Sequence, residues 1–182
     1  MAEMILYTGP MFSSKTTKLL MQADKRQYQK QNIMTFKARM DDRYTDSGEI
    51  VTHNFNKISA LLVDSGEDII EHVSKHENVD CVIVDELFLI SGAAEACIEL
   101  FKKGYDVIAA SIDLNFAGVP FEEVKEIMPY CTRIVKCKAV CPLCQKDARY
   151  TFRKATDTSE ILVGGKDIYE PRCQKHHPYM IS

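Results

Sequence analysis

A lysine and a threonine at the start of a helical pattern, Lys15 and Thr16, carry the first recognisable chemistry in the sequence. Residues 9–16 read Gly-Pro-Met-Phe-Ser-Ser-Lys-Thr, which follows the phosphate-loop pattern except that Ser14 replaces its second glycine. In such a loop, backbone amides surround an anion at a helix N-terminus, the lysine contacts the β- and γ-phosphates, and the hydroxyl binds Mg²⁺. The residues expected to bind Mg-ATP here are Gly9, Met11, Phe12, Ser13, Ser14, Lys15 and Thr16.

Ser14 is the departure from this pattern. A left-handed backbone at a non-glycine residue costs on the order of 1–2 kcal/mol, so we expect a loop that is strained or rebuilt. The alternative is an ordinary strand-to-helix turn in which Ser14 caps the helix. A strand pattern before Gly9 and a helical pattern after Lys15 fit both interpretations.

Two acids follow a β-branched run that ends at Val84. In open α/β sheets, ligands bind beyond the carboxyl ends of the strands. We therefore expect Asp85 to face the phosphates and hold Mg²⁺ through water. Glu86 is the candidate general base, because it could accept the proton of an attacking hydroxyl. The alternative is a simple strand-end turn, which acidic residues also favour.

Four residues in the C-terminal part have the spacing of a metal site. Cys141 and Cys144 form a Cys-x-x-Cys pair, and Cys173 and His176 repeat this spacing. A Cys₃His set predicts tetrahedral zinc, and four protein ligands leave no open position, so the site would be structural. His177 competes for the fourth ligand position. The alternative is that the first pair is a redox motif.

The element pattern predicts the fold class. Strand patterns at 4–8, 33–36, 60–63, 81–84, 107–110 and 134–138 alternate with helical patterns at 15–30, 67–76 and 93–103. This alternation indicates an α/β fold of the P-loop NTPase type, with a parallel sheet and helices on both faces. The polar residues 38–57 are expected to form a loop or mobile segment. The pattern changes after Val140, so we predict a nucleotide-binding domain at 1–140 and a zinc-binding domain at 141–182.

Composition excludes several classes of protein. The 182 residues fit one domain with a small appendage, and the net charge of −3 lacks the basic excess of a nucleic-acid binder. No window approaches 18 apolar residues, so we expect no membrane span. The seven cysteines, together with a start that lacks a signal-peptide pattern, predict a reducing cytoplasm.

Several short motifs, taken in order, resemble the type II thymidine kinase family. They are Gly9 to Ser13 with Lys15 and Thr16, Asp41 to Tyr44, Thr52-His53, Ile112 to Phe116, Pro120-Phe121, Ala139 to Cys141 with Cys144, Val163 to Gly165, Asp167 with Tyr169, and Cys173 with His176. Each motif alone is weak. Their shared order across the chain makes the resemblance specific.

The resemblance implies ATP-dependent phosphorylation of the 5′-hydroxyl of thymidine or deoxyuridine. It implies that Asp41 and Arg43 lie near the sugar and the transferred phosphate. The residues it places at the nucleoside are Met11, Leu89, Ile112, Phe116, Thr151, Gly164 and Tyr169. The family covers thymine with a lasso loop, here from about Arg153 to Tyr169, which makes 141–182 a zinc-binding and lasso domain. The family is usually tetrameric, so a homotetramer is expected.

Two other functions stay open from the sequence. One is a kinase-fold protein with altered deoxynucleoside specificity or weak activity, acting as a nucleotide-binding regulator. Leu89 supports this alternative, because the family packs an aromatic ring beside the base at this position. The other is a zinc-ribbon nucleic-acid binder, which the acidic balance of the chain disfavours.

Overall fold

The computed structural model describes residues 1–40, 49–51, 57–156, 159, 161–162 and 164–181. Within these residues the strands are β1 (Met4–Thr8), β2 (Ile33–Ala38), β3 (Glu49–Val51), β4 (Lys57–Ser59), β5 (Leu61–Val63), β6 (Cys81–Asp85), β7 (Asp106–Ser111), β8 (Arg133–Lys136), β9 (Ala139–Val140), β10 (Asp147–Ala148), β11 (Tyr150–Arg153) and β12 (Tyr169–Arg172). The α-helices are α1 (Lys15–Tyr28), α2 (Gly66–Ser74), α3 (Ala93–Lys102) and α4 (Glu122–Ile127), and 3-10 turns lie at Leu87–Leu89, Met128–Tyr130 and Gln174–His176.

A six-stranded sheet forms the centre of the molecule. Its strand order is β5-β2-β6-β7-β1-β8, and every neighbouring pair is parallel. Parallel strands that are covered on both faces are apolar throughout their length, and β1 and β6 are buried at every residue. The predicted α/β fold with a parallel sheet is therefore confirmed.

Helices cover both faces of this sheet, as the sequence predicted. On one face α1 packs Leu19, Leu20 and Ala23 against side chains of the central strands such as Tyr7 and Ile83. On the opposite face α2, α3 and α4 pack against the strands in the larger core cluster of the described residues. The apolar side chains that these three helices contribute include Ile69, Val73, Ala93, Ala94, Cys97, Leu100, Val124 and Ile127.

The parallel register brings several loops to one edge. Thr8, the last residue of β1, pairs with Ser111 at the end of β7. Asp85, the last residue of β6, pairs with Lys37 near the end of β2. The loops that follow these strands therefore start side by side, which is where open α/β sheets bind ligands.

Three small antiparallel pairs complete the described structure: β3 with β4, β9 with β10, and β11 with β12. The last two pairs, which begin at Ala139, carry the residues around the cysteine motifs. The division into domains at 1–140 and 141–182 stays a prediction. None of the helices formed by the described residues is long and apolar enough to cross a membrane.

The expectation of a loop throughout residues 38–57 is wrong at residues 49–51 and at Lys57, which lie in β3 and β4. Strands β3 and β4 pair there, with Ile50 opposite Ile58, and Ile50 is only 1% exposed. It packs into the core on the α1 face of the sheet. Single apolar residues among polar neighbours give no periodic signal, so the pairing of β3 with β4 depends on tertiary packing. Helix α4 was also missed, because six residues are too few to show helical periodicity.

Candidate active site and metal centre

The loop between β1 and α1 begins with a close backbone approach. Gly9 has φ of 142°, a conformation that side chains disfavour, and a Cβ built there would lie 2.4 Å from the carbonyl oxygen of Cys137. Only glycine fits between this loop and the residue that follows β8. The first glycine of the phosphate-loop pattern therefore has a steric reason in this chain.

Two further residues of the loop have left-handed backbone, Phe12 with φ of 63° and Ser14 with φ of 61°. The expectation of a left-handed, strained residue at position 14 agrees with this geometry. Ser14 precedes α1 but makes no side-chain capping hydrogen bond. The alternative of an ordinary turn with a capping serine is therefore wrong, since a capping serine has extended backbone and accepts a bond from the helix.

Lys15 is held inside its own loop. Its ammonium donates a hydrogen bond of 2.8 Å to the Pro10 carbonyl, which also accepts a bond of 2.7 Å from the Ser13 hydroxyl. Burial lowers the pKa of Lys15 below its usual value, while the negative charges of nearby acids, with Glu86 the strongest, oppose this shift. A cation that is poorly hydrated and surrounded by turned backbone is suited to bind phosphate.

The two acids after β6 lie beside this loop. The Thr16 hydroxyl is 3.4 Å from Oδ1 and 3.3 Å from Oδ2 of Asp85. Asp85 is 5% exposed and Glu86 is 9% exposed, and Glu86 has left-handed backbone with φ of 51°. These oxygens have the donor chemistry that Mg²⁺ prefers. The end of β6 therefore places Asp85 and Glu86 beside Lys15 and Thr16, as the sequence predicted.

A largely apolar cavity adjoins the phosphate loop. Seven residues expected at the nucleoside line it together: Met11, Leu89, Ile112, Phe116, Thr151, Gly164 and Tyr169. Met11 belongs to both regions, and its amide donates a bond of 3.1 Å to the Thr151 hydroxyl. The other two residues expected near the substrate, Asp41 and Arg43, lie outside the described residues.

Sequence reasoning missed several residues of this cavity, including Phe88, Phe121 and Arg153. The rings of Phe88 and Phe121 are 4.6 Å apart and form part of the wall. A signal for Arg153 was present, because side chains two residues apart on a strand share a face and Thr151 was already a candidate. Asp113 is not part of the cavity lining, but it is 3% exposed, pairs with Lys136 at 2.8 Å and is among the acids whose charge acts on Lys15.

The predicted metal ligands converge. Ligand atoms of Cys141, Cys144, Cys173 and His176 all lie within 4.8 Å of one another. Cys144 Sγ is 3.6 Å from Cys173 Sγ, and His176 Nδ1 is 3.2 Å from Cys173 Sγ. A tetrahedral zinc ion with Zn–S bonds of about 2.3 Å separates two sulfur ligands by about 3.8 Å. The geometry therefore fits a tetrahedral metal site.

His177, the competing fourth ligand, has another position. It is fully buried, and its Nε2 is 3.0 Å from the Thr151 carbonyl oxygen. Its ring packs near the rings of Tyr150 and Phe152.

At the metal cluster, burial raises the pKa of Cys141, but backbone hydrogen bonds from Cys173 and Leu143 and the other cluster groups bring it down to about 6. A thiol that ionises readily is suited to bind a metal.

A parallel α/β sheet with a phosphate loop after β1 and acids after β6 defines a P-loop nucleotide-binding protein. A profile of the family described as thymidine kinase matches residues 2–177. The thymidine kinase of Aster yellows witches'-broom phytoplasma (strain AYWB) is 36% identical over 176 residues, covering 93% of this chain and 83% of the relative. That of Onion yellows phytoplasma (strain OY-M) is 35% identical, with the same coverage. The chain belongs to the thymidine kinase family and is a phosphotransferase.

Proposed function

We propose that the protein transfers the γ-phosphate of ATP to the 5′-hydroxyl of thymidine or deoxyuridine, giving the nucleoside monophosphate for salvage. The observation that carries this proposal is the double position of Met11, which lies in the phosphate loop and lines the adjoining cavity. A nucleoside in the cavity would therefore present its sugar towards the phosphates. Family membership supports thymidine as the nucleoside.

The phosphate side of the site rests on three residues. Lys15 would neutralise charge on the β- and γ-phosphates once its ammonium leaves the Pro10 carbonyl. Thr16 and Asp85 would hold Mg²⁺, the threonine directly and the carboxylate through water. When bound, Mg²⁺ supplies charge neutralisation and orients the phosphates. Positioning and charge carry most of the catalysis in phosphoryl transfer.

Glu86 is the proposed general base. Its carboxyl group is largely buried one residue after Asp85, and its charge acts on Lys15. In this role it accepts the proton of the 5′-hydroxyl as that oxygen attacks the γ-phosphorus. The left-handed backbone at Glu86 turns the chain sharply at the strand end. Strain of this kind is frequent at functional sites.

Recognition of the base would depend on the cavity wall. The lining is largely apolar, and Leu89 contributes an aliphatic side chain where a ring could stack. Thr151, Gly164 and Tyr169 complete the proposed base site. Asp41 and Arg43 are proposed near the sugar and the transferred phosphate on the resemblance alone.

A structural zinc ion is the proposed occupant of the Cys₃His cluster. Four protein ligands fill its tetrahedral coordination and leave no position for a substrate. The zinc ion would link the segment before β10 to the segment after β12 and so stabilise the C-terminal part of the chain. A homotetramer, a cytoplasmic location and a domain boundary at 140 are further proposals.

A nucleoside panel tests this function. The purified protein is mixed with ATP and Mg²⁺, and ADP release is followed with thymidine, deoxyuridine, deoxycytidine and no nucleoside. We expect ADP release with the first two and a product with a 5′-phosphate. The control is Lys15→Met, which removes the phosphate-loop cation and should abolish the signal. Nucleoside-independent ADP release, or ATP binding without transfer, would support a nucleotide-binding regulator instead.

A further inference from the structure

A buried arginine, Arg153, lies at the end of β11 and faces the cavity. It is 5% exposed, although it carries a permanent charge. Strand β11 alternates, with Thr151 and Arg153 buried and the residues between and before them half-buried. Arg153 pairs directly with Tyr169 across the antiparallel pair. Since opposed residues share a face, the guanidinium and the phenol stand together on the cavity side.

Among the described residues, the guanidinium donates hydrogen bonds to Tyr169 and Ser159. Nε and Nη2 donate to the Tyr169 hydroxyl at 3.2 and 2.8 Å. Nη1 donates to the Ser159 carbonyl. The Tyr169 hydroxyl in turn donates to the Leu162 carbonyl at 2.7 Å. One side chain thereby fixes backbone on both sides of Ile161.

The same guanidinium also stacks on the opposite wall. Its central carbon is 4.1 Å from the centre of the Phe116 ring, which belongs to the loop after β7. Phe116, Ile161, Leu162 and Gly164 all line the cavity with Arg153. Arginine combines flat stacking with several donors in fixed directions, which lysine cannot reproduce. Arg153 therefore bridges the two chain segments between which the cavity lies.

We propose that Arg153 is a positioning residue that latches the cavity cover (Ile161, Leu162 and Gly164) over the nucleoside, and so sets affinity for the nucleoside but not for ATP. The expected effect on nucleoside kinetics rests on the proposed function. In this latch Tyr169 and Ser159 accept hydrogen bonds from Arg153, and the Phe116 ring packs against its guanidinium. Arg153 acts through these groups and need not touch the reacting atoms.

A population argument gives the expected effect. If only a fraction of molecules holds the cover in its binding position, the apparent dissociation constant rises by the inverse of that fraction. Charged hydrogen bonds of this kind are strong enough that their loss would lower the closed fraction by roughly tenfold or more. ATP binds in the phosphate loop, which the latch does not contact through these bonds.

The kinetic test compares four variants. Arg153→Met and Tyr169→Phe should each raise the KM for thymidine by roughly tenfold, with the KM for ATP nearly unchanged. Arg153→Lys should resemble Arg153→Met, because the ammonium cannot reach both receivers and stack. The control is Lys154→Met, whose exposed side chain donates to the Lys166 carbonyl on the same stretch of chain. It should leave both constants unchanged. Parallel rises in both KM values, or none, would overturn the latch.

A second measurement does not depend on activity. Hydrogen exchange is followed by NMR in the zinc-loaded protein without nucleoside, at the Ile168 and Tyr169 amides. These amides donate to the Gly165 carbonyl next to the cavity cover at 3.2 and 2.9 Å. Faster exchange at these amides in Arg153→Met and Tyr169→Phe, with β1 and β6 still protected, supports the latch. Exchange equal to that of Lys154→Met overturns it. If the unaltered protein fails to phosphorylate thymidine, the proposed function fails while this measurement still decides the latch.

Discussion

The Thr16 hydroxyl lies 3.3 Å from Asp85 Oδ2 and so connects the first turn of α1 to the last residue of β6. These two residues are 69 positions apart in the chain. The parallel sheet brings them together because β1 and β6 both end at the edge where the phosphate loop begins. Two oxygen groups held on separate rigid elements are suited to the proposed Mg²⁺ site.

Asp85→Asn tests this site. The amide keeps the shape of the side chain but loses the negative charge that Mg²⁺ prefers. We expect the Mg²⁺ concentration for half-maximal activity to rise on the order of tenfold or more, as for other groups that hold a metal through water. A Mg²⁺ titration at saturating ATP measures this. Thr16→Ser keeps the hydroxyl and is the matched control; an unchanged Mg²⁺ requirement in Asp85→Asn would remove Asp85 from the metal site.

Glu86→Gln tests the general base. The glutamine cannot accept the proton of the 5′-hydroxyl, so kcat should fall by about 10², the usual scale for a positioned base. The fold and the affinity for a non-hydrolysable ATP analogue should persist. Glu122→Gln makes the same chemical change at a side chain that is 79% exposed and should have no effect on kcat. Near-normal turnover of Glu86→Gln would exclude Glu86 as the base.

Sequence reasoning was most successful where chemistry is local in the chain. The spacing of Lys15 and Thr16, and of Cys141 and Cys144, is set by a single turn, so a motif describes it fully. The pairing of β3 with β4 around Ile50 could not be predicted from a local motif. Ile50 is buried by contacts with residues distant in the sequence, and such contacts leave no period in the chain.

The contacts of Arg153 show a second limit of the sequence, although its spacing from Thr151 indicates the face of the strand on which it lies. An arginine in a polar stretch is ordinarily solvent-exposed. Its burial depends on Tyr169 and Phe116, which come from two other segments of the chain. The residues expected at the nucleoside, seven of which line the cavity, came from the family resemblance, which carries such long-range information.

Zinc removal should destabilise residues 141–176 before it destabilises the central sheet. We expect about one zinc ion per chain, bound by the four predicted ligands. Chelation should expose β11 and β12 to hydrogen exchange while β6 stays protected, because metal affinity is folding energy for such a small unit. Elemental analysis and exchange measure these two effects. Cys144→Ser should reproduce the effect of chelation, whereas Cys97→Ser, at a buried cysteine in α3, should leave the zinc content unchanged. Well-folded protein without metal would contradict the zinc site.

Ser14→Gly separates strain in the phosphate loop from its function. Ser14 already has left-handed backbone in the folded protein, so most of the strain affects the free energy of unfolding and little of it affects nucleotide binding. Glycine removes a cost of about 1–2 kcal/mol but adds about 0.5–1 kcal/mol of unfolded-state entropy. We therefore expect the free energy of unfolding to rise by up to about 1.5 kcal/mol, measured by urea denaturation.

Affinity for Mg-ATP should change by no more than a few fold in Ser14→Gly, as measured by calorimetric titration with a non-hydrolysable analogue. Ser14→Ala is the companion variant, because it keeps the Cβ and removes only the hydroxyl. If both variants bind the analogue more weakly, the Ser14 hydroxyl contributes a phosphate contact that compensates for the missing glycine. If the glycine variant alone binds far more tightly, the bound loop has a backbone conformation that a side chain at position 14 resists. Equal affinity in all three proteins, with a more stable glycine variant, would mean that the strain at Ser14 lowers the free energy of unfolding and does not affect binding. The loop would then bind phosphate through its backbone amides, regardless of the side chain at position 14.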